Sequence, residues 1–192
     1  MNYLQKNKFF RNIIYKIKSK GAKDRIKKIK PYLNKNDKIL DIGAGSCIVC
    51  EILQEEGYET TPIDVKNFSF AEGIKSIIYD GNKIPFKTDE FNVSLILTVL
   101  HHTPSPEKVL EEAKRTSRLI IIIEDIYTNT FNKYIAYFID SLLNLEFIGC
   151  PHTNKNDKEW KKIFNKMNLN LLDVKYHMSP FGVKRTTYCL KK

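Results

Sequence analysis

Two glycines in the stretch LDIGAGSC, residues 40–47, stand where the backbone could come close to a ligand. Gly43 and Gly45 follow a short apolar run and precede a segment with helical spacing. Because glycine has no Cβ atom, it adopts positive φ and lets a bound molecule lie against the main chain. The first N–H groups of the following helix would donate hydrogen bonds to that molecule. The stretch therefore predicts a ligand-binding turn between a strand and a helix.

The spacing after these glycines argues against a dinucleotide as the ligand. The complete fingerprint, G-x-G-x-x-G, needs glycine at position 48, where this chain has Ile48. The full set of glycines permits the close helix approach that a pyrophosphate requires, whereas a nucleoside without phosphates has no such need. We therefore expect a nucleoside ligand, and a nicotinamide-dependent dehydrogenase is the weaker alternative.

Three aspartates stand in order near the ends of the first three predicted strands. Asp41 precedes the glycines, Asp64 follows Gly43 by 21 residues, and Asp80 closes the third strand. A carboxylate at the position of Asp64 accepts hydrogen bonds from ribose hydroxyls. A carboxylate at Asp80 is placed to accept the exocyclic amine of adenine. The pattern predicts a backbone cradle, a ribose acceptor and an amine acceptor at one edge of a sheet.

Hydrophobic periodicity predicts the elements that must position these residues. Helical spacing covers residues 8–19, 22–33, 47–56, 106–116, 131–145 and 157–167, with Ser105 as the expected N-cap of the fourth helix. Strand patterns cover residues 38–42, 59–65, 76–80, 91–100, 119–124, 169–178 and 184–190.

The alternation of strands and helices predicts an α/β fold with a parallel sheet. The last two strands are separated only by the turn at residues 180–182, and so short a turn makes an antiparallel pair. We therefore expect a seven-stranded Rossmann-like sheet, mostly parallel and ending in an antiparallel hairpin, in a single domain of residues 1–192.

Several runs of the sequence resemble the class I S-adenosylmethionine-dependent methyltransferases, and among them the type 11 group, which includes quinone-biosynthesis methyltransferases. The runs are ILDIGAGSC, PIDV, YDGNKIPF and EFNVSLILTVLHHTPSPEKVLEEAKR, within about residues 35–125. The resemblance implies S-adenosyl-L-methionine as cofactor, S-adenosyl-L-homocysteine as product, and a last antiparallel strand inserted between its neighbours.

The resemblance also implies which residues would contact the cofactor. They are Asp41, Gly43, Ala44 and Gly45 in the loop, Asp64 and Val65 at the ribose, Asp80 and Gly81 at the adenine, and the backbone of Leu97 and Thr98 at the methionine part. Two features depart from the family pattern. Cys47 stands where many members have a third glycine, and the run RTSRLIIIIED lacks the usual glycine turn, so we expect a shortened connection.

Methyl transfer is an in-line displacement at the methyl carbon of a sulfonium, and holding the acceptor behind that methyl supplies much of the rate. Where the acceptor is an oxygen or nitrogen atom that carries a proton, a general base can remove that proton. The candidates after the predicted strand ends are His101, His102, Asp125 and His152. A metal site from His101, Asp125 and His152 is an alternative that we do not adopt.

The positive charge of the chain is concentrated at its N-terminus. The formal net charge is +10, and residues 1–38 hold thirteen Lys/Arg against two Asp. In the basic helical segment, residues 1–34, Phe10, Ile13, Ile14 and Ile17 recur at helical spacing between lysines. The segment is typical of a packing helix with a solvated face, and it would also suit an anionic membrane surface or nucleic acid.

Residues 126–155 form an insertion that is rich in aromatic and aliphatic side chains. It suits either a helix packed on the sheet or a cap over the cofactor that favours a small, partly hydrophobic acceptor. An RNA methyltransferase that uses the basic segment is the main alternative function. A cofactor-binding subunit without activity of its own is a further one.

The four cysteines show no disulfide spacing, and no apolar run reaches the roughly 18–20 residues of a membrane span. We therefore expect a cytoplasmic protein. The oligomeric state is left open.

Overall fold

The computed structural model describes residues 7–127, 153–179 and 182–192. Within these residues, seven strands form one sheet. They are β1 (Lys38–Ile42), β2 (Glu59–Asp64), β3 (Ile77–Ile78), β4 (Phe91–Leu97), β5 (Ser117–Asp125), β6 (Asn170–Met178) and β7 (Lys184–Lys191).

The strand order across the sheet is β3-β2-β1-β4-β5-β7-β6. The pairs among β1 to β5 are parallel, whereas β7 runs antiparallel to both β5 and β6. The α/β class, the mostly parallel sheet and the antiparallel closing pair are confirmed. The insertion of the last strand between its neighbours, implied by the family resemblance, is confirmed as well.

Helices cover both faces of the sheet. They are α1 (Lys8–Ile29), α2 (Ile48–Glu55), α3 (Pro106–Thr116) and α4 (Asp157–Lys166), with 3-10 turns at Lys30–Tyr32 and Leu100–His102. Ile26 of α1 and Leu53 of α2 are buried against one face of the sheet. Leu110 of α3 and Trp160 of α4 are buried against the other. The result is a three-layer arrangement with a hydrophobic core on each side of the sheet.

Helix α1 is continuous where the sequence predicted two helices, at 8–19 and 22–33. Gly21 lies on the exposed side of the helix and does not interrupt it. Ala22, Ile26 and Ile29 directly follow and are buried in the core. Their burial outweighs the roughly 1 kcal/mol that glycine costs inside a helix. The helix ends at Ile29, just before the 3-10 turn that contains Pro31.

Two predicted strands are shorter in the structure, and one predicted helix cap is not formed. Strand β4 ends at Leu97, not at residue 100, because Thr98 adopts φ 61° and turns the chain out of the sheet. Strand β3 is reduced to two residues at the edge of the sheet. The side chain of Ser105 makes no capping hydrogen bond, although Pro106 begins α3 as expected.

The shortened connection before β5 is present in the structure. Helix α3 ends at Thr116 and β5 begins at Ser117, with no residue between them. The buried hydroxyl groups of Ser94 and Ser117 lie 2.5 Å apart and join β4 to this junction.

The predicted helix at 131–145, His152 and most of the insertion at 126–155 lie outside the described residues. In the part of the chain that is described, no helix is long and apolar enough to cross a membrane.

Candidate active site

The glycine bend, residues 43–46, connects β1 to α2 at the edge where the parallel strands end. Gly43 and Gly45 have φ values of 72° and 50°. The N–H groups of Gly43 and Ala44 both donate to the carbonyl of Ile63, at 2.9 and 3.0 Å, which ties the bend to β2. A Cβ atom at Gly43 would lie 2.7 Å from both γ-methyl groups of Val99. Only glycine fits at this position, because both the backbone angle and the space exclude a side chain.

Cys47 occupies the place of the missing family glycine and keeps a glycine-like conformation. Its φ is 57°, a left-handed value that is uncommon outside glycine, and its side chain is buried. The Sγ atom of Cys47 lies 3.2 Å from the hydroxyl of Ser76. Burial raises the pKa of the Cys47 thiol. Ile48, the first residue of α2, is also buried in the core. The position where a dinucleotide-binding fingerprint has its third glycine therefore serves packing in this protein.

Asp64 faces the glycine bend from the end of β2. The N–H of Gly45 donates to Oδ2 of Asp64 at 2.8 Å, and the N–H of Lys66 donates to Oδ1 at 3.3 Å. In the strand register Ile42 pairs with Ile63, so Gly43 and Asp64 leave the sheet at the same level. The structure thus brings a carboxylate and the glycine bend together at this edge.

Asp41 lies deeper than the other two aspartates. It pairs with Pro62 inside the ladder and is 3% exposed. The thiol of Cys50 donates to its Oδ2 at 3.3 Å. Burial raises the pKa of Asp41 to about 6, although the hydrogen bond from Cys50 and the charge of Arg25 act in the opposite direction. Asp41 therefore supports the bend from below, whereas the sequence placed it with Asp64 and Asp80 at the edge of the sheet.

Asp80 is exposed and lies on the outer side of the same edge. Its Oδ1 accepts the N–H groups of Asn82 and Lys83, both at 2.9 Å. These bonds, that from Lys83 first, lower the pKa of Asp80. Gly81 has φ 79°, and a Cβ atom there would lie 3.3 Å from a γ-methyl group of Val65, which is half-exposed. Val65 and Gly81 therefore form an apolar wall between Asp64 and Asp80.

The end of β4 contributes Leu97 and Thr98. The N–H of Thr98 donates to the carbonyl of Ile123 at 2.7 Å, and its hydroxyl donates to the carbonyl of Leu97 at 2.6 Å. The positive φ of Thr98 is a strained angle for a β-branched residue, and such strain often marks a functional turn.

His101 and Glu124 form a buried pair behind this turn. Nδ1 of His101 lies 2.5 Å from Oε2 of Glu124, and both residues are almost fully buried. The other carboxylate oxygen of Glu124 accepts the N–H groups of Val99 and Leu100, at 2.9 and 2.7 Å. The partly exposed ring of His102 packs on His101, with 4.1 Å between ring centroids. The two histidines therefore divide into one structural ring and one ring closer to solvent.

Asp125 is held in an ion pair. Its two carboxylate oxygens accept Nε and Nη2 of Arg185, at 2.6 and 3.0 Å. Both oxygens of Asp125 are therefore already engaged by one guanidinium group in charge-assisted hydrogen bonds. This placement does not favour Asp125 as a base. Across the described ranges, no group of three or more His, Cys, Asp or Glu residues is arranged to hold a metal ion.

Three residues at this edge, Glu124, Val99 and Arg185, have roles that the sequence alone did not predict. Glu124 carried a signal, since it is a charged residue that closes a strand of four consecutive isoleucines. Its partner His101 and the contact of Val99 with Gly43 depend on the relative positions of β1, β4 and β5, which the sequence does not show.

A family model described as a methyltransferase domain matches residues 14–174. The chain therefore belongs to this methyltransferase family, and together with the sheet order this makes it a class I S-adenosylmethionine-dependent methyltransferase.

The fold is similar to that of solved methyltransferases. A SAM-dependent methyltransferase from Archaeoglobus fulgidus is 19% identical with a TM-score of 0.68, covering 91% of this chain and 94% of that one. Magnesium protoporphyrin IX methyltransferase from Synechocystis PCC 6803, solved with bound S-adenosylhomocysteine, is 14% identical with a TM-score of 0.64, covering 100% and 89%. Identities this low show the common fold alone.

A local sequence match joins this chain to the uncharacterized protein MJ1123 of Methanocaldococcus jannaschii. The two are 54% identical over 43 residues, which span 22% of this chain and 21% of that protein.

Proposed function

We propose that this methyltransferase belongs to the type 11 group and transfers the methyl group of S-adenosylmethionine to a small, partly apolar acceptor. The observation that carries the proposal is the junction of β1 and β2, where the glycine bend meets the carboxylate of Asp64. The family supports the cofactor, and the bend supports the place at which the cofactor would bind.

The residues at this edge fit an adenosyl group. Because Gly43 leaves no room for a side chain beneath Val99, the main chain itself lines the bend. Each carboxylate oxygen of Asp64 accepts one N–H group, from Gly45 or Lys66, and has a lone pair left. These lone pairs would accept hydrogen bonds from the ribose hydroxyl groups. The wall of Val65 and Gly81 would contact one face of the adenine, and Asp80 would accept its exocyclic amine.

Other residues at this edge would contact the methionine part of the cofactor or support the glycine bend. The backbone of Leu97 and Thr98 would contact the methionine part, and Asp41 would hold the bend from beneath through Cys50. When bound, the cofactor supplies an electrophilic methyl group on a sulfonium. The protein contributes orientation of the acceptor and exclusion of water.

His102 is our proposal for the base where the acceptor requires one. Its partly exposed ring is backed by His101, which Glu124 fixes in place. Asp125 is occupied by Arg185, and His152 lies outside the described residues. His102→Asn should lower kcat with little change in cofactor affinity, whereas unchanged kcat over the whole pH range would remove this role.

We further propose that residues 126–155 cap the acceptor site. The aromatic and aliphatic composition of the insertion supports this idea. Two described residues near the ends of the insertion, Ile126 and Thr153, are anchored to the rest of the protein. The N–H of Ile126 donates to the carbonyl of Lys184, and the N–H of Thr153 donates to the carbonyl of His101. Hydrogen exchange across the insertion should slow when cofactor or acceptor binds. Identical exchange with and without ligand would contradict the cap.

The direct test is calorimetric titration of S-adenosylhomocysteine into the Asp64→Asn variant. The substitution keeps the size of the side chain but removes its charge and one acceptor, so affinity should fall about tenfold or more. Asp89→Asn is the matched control, because Asp89 lies at an exposed turn that pairs with Lys192. An unchanged affinity in folded Asp64→Asn protein would refute the assigned ribose contact.

An RNA acceptor is the second candidate, favoured by the excess of Lys and Arg in residues 1–38. Deletion of residues 1–30 is not a clean test, because Ile26 and Ile29 belong to the core. Substitution of exposed lysines on α1 should instead reduce the salt dependence of RNA binding.

A further inference from the structure

The first half of α1 carries large apolar side chains that face solvent. Phe9 and Ile17 are 68% and 69% exposed, and Phe10 and Ile13 are 41% and 43% exposed. At the 100° per residue of an α-helix, these four positions fall within an arc of about 100°. They form one apolar stripe, which we call the α1 stripe. Contiguous exposed apolar groups of this kind mark interaction surfaces rather than ordinary solvent-facing residues.

Lysine side chains flank the α1 stripe. Lys16, Lys20 and Lys23 line a groove of about 500 Å³ between α1 and α2, whose other lining residues are Tyr15, Ser19, Ile52 and Glu55. The single carboxylate in this groove is outnumbered by the three ammonium groups. Residues 8–23 contain six Lys or Arg and no Asp or Glu. The stripe and the groove together therefore suit a surface that is both apolar and negatively charged.

The helix that presents this surface is already fixed to the protein. Ala22, Ile26 and Ile29 bury its second half in the core. In the first half, Nε of Arg11 donates to the carbonyl of Phe70 at 3.2 Å, and the hydroxyl of Tyr15 donates to Glu51 at 2.7 Å. The helix is thus already folded before any partner binds. Binding would therefore not lose the conformational entropy that ordering a disordered segment costs.

The α1 stripe also lies next to the active-site edge. The carbonyl of Phe70 accepts a hydrogen bond from Nε of Arg11, and the N–H of Phe70 donates one to the carbonyl of Ser46 in the glycine bend. One residue therefore links the start of α1 to the predicted cofactor site.

We propose that α1 docks this protein on an anionic lipid bilayer, with the α1 stripe in the interface and the groove lysines on lipid phosphates. Peripheral amphipathic helices bind membranes by this combination of buried apolar area and attraction to anionic headgroups. RNA would satisfy the lysines, but the aliphatic side chains of Ile13 and Ile17 would gain nothing from phosphates. The docking does not depend on the identity of the acceptor.

The test is cosedimentation of the full chain with vesicles of phosphatidylcholine alone or mixed equally with phosphatidylglycerol. We expect binding to the mixed vesicles that weakens as salt rises, and at least about tenfold weaker binding to phosphatidylcholine. Ile13→Ser with Ile17→Ser should weaken binding to the mixed vesicles by about tenfold or more, because the apolar contact is lost.

Two matched controls separate the surface from general composition. Leu172→Ser with Met178→Ser removes two exposed apolar residues from β6, which are 55% and 64% exposed. A second pair of variants removes three lysines each, and so changes the net charge equally. One replaces Lys16, Lys20 and Lys23 of α1 with Gln, and its control replaces Lys158, Lys162 and Lys166 of α4 with Gln. The α1 variants should lose vesicle binding and the control variants should keep it. Affinity for S-adenosylhomocysteine, measured in every variant, reports the fold and tests the cofactor proposal separately.

Three outcomes would overturn the proposal. One is the absence of binding to the mixed vesicles, and another is an equal loss in the α4 lysine variant. The third is a protein that does not bind vesicles but binds an oligouridylate RNA in a salt-dependent way, with no effect of the serine substitutions. That result would assign the basic surface to nucleic acid.

Discussion

Glu124 at the end of β5 holds His101 after β4, with 2.5 Å between Oε2 of the carboxylate and Nδ1 of the ring. The same carboxylate accepts two consecutive N–H groups, from Val99 and Leu100. One fully buried side chain therefore holds two N–H groups and the ring of His101 in the turn that follows Thr98. Because Val99 in this turn lies against Gly43, Glu124 also positions the end of β4 against the glycine bend.

We expect Glu124→Leu to destabilise the fold by about 1–3 kcal/mol, since the N–H groups of Val99 and Leu100 would lose their acceptor. Urea unfolding measures the loss. S-adenosylhomocysteine affinity should fall with it, because the turn at Val99 would move against Gly43.

His102→Asn is the control for this prediction, as His102 is partly exposed and lies in the same 3-10 turn. We expect its free energy of unfolding to fall by less than that of the Glu124 variant, because the ring of His102 is partly exposed. Equal stability of the Glu124→Leu and parent proteins would show that the carboxylate does not organise the turn.

Cys47 stores backbone strain at the start of α2. A left-handed φ costs a non-glycine residue about 1–2 kcal/mol, and Cys47→Gly relieves that cost while Cys47→Ala does not. Both substitutions remove the Sγ contact with Ser76. We therefore expect the glycine variant to be about 1 kcal/mol more stable than the alanine variant in chemical unfolding. A more stable alanine variant would contradict the assigned strain.

Asp41 should give the protein a pH-dependent stability. Burial raises its pKa to about 6 in the folded state, from an ordinary value of 3.8. Between these values the folded protein retains a proton that the unfolded chain has released. The stability contributed by Asp41 is therefore greatest at low pH, falls as pH rises through this window, and is fully lost above about pH 6.

The Asp41→Asn variant cannot ionise and should lack this fall, which is on the order of 2–3 kcal/mol. The measurement is the difference in unfolding free energy between parent and variant from about pH 4 to pH 7, with Asp89→Asn as a surface control. A difference that stays constant across this range would place the titration elsewhere.

Much of the fold follows from the order of apolar segments in the sequence. The strands β1, β4 and β5 are short runs buried on both faces, so their type and their parallel pairing could be predicted. The glycine bend and Asp64 were predictable for a related reason, since both are set by the residues that follow a strand. The break expected at Gly21 was wrong because tertiary burial of Ile26 and Ile29 outweighs a local propensity.

The remaining features of the site depend on contacts between distant segments. Asp125 and Arg185 are 60 residues apart, and their pairing requires β7 to lie beside β5 in one particular register. The burial of Asp41 likewise depends on strand register. The sequence pattern of β1 alone is compatible with Asp41 either at the edge of the sheet or inside the ladder. A single sequence shows which residues are charged, but their partners appear only when the strands are aligned.

The γ-methyl groups of Val99 fill the space that a side chain at Gly43 would need. Gly43→Ala would place a Cβ atom 2.7 Å from both Val99 methyl groups, in addition to the strain of φ 72°. Gly57→Ala is a matched control, because Gly57 has φ 85° and a Cβ atom there would meet nothing within 4 Å. Both variants should lose about 1–2 kcal/mol of stability from backbone strain. Only Gly43→Ala should lose more, and only Gly43→Ala should weaken S-adenosylhomocysteine binding.

Val99→Ala in the Gly43→Ala background isolates the steric part of the effect. Removing the two methyl groups makes room for the new Cβ atom, so part of the lost affinity and stability should return, although Val99→Ala alone is destabilising. A double-mutant cycle on unfolding free energies, with calorimetry on the same four proteins, measures the coupling. Strictly additive effects would mean that Gly43 is needed for its backbone angle alone, and that the end of β4 does not set the position of the bend.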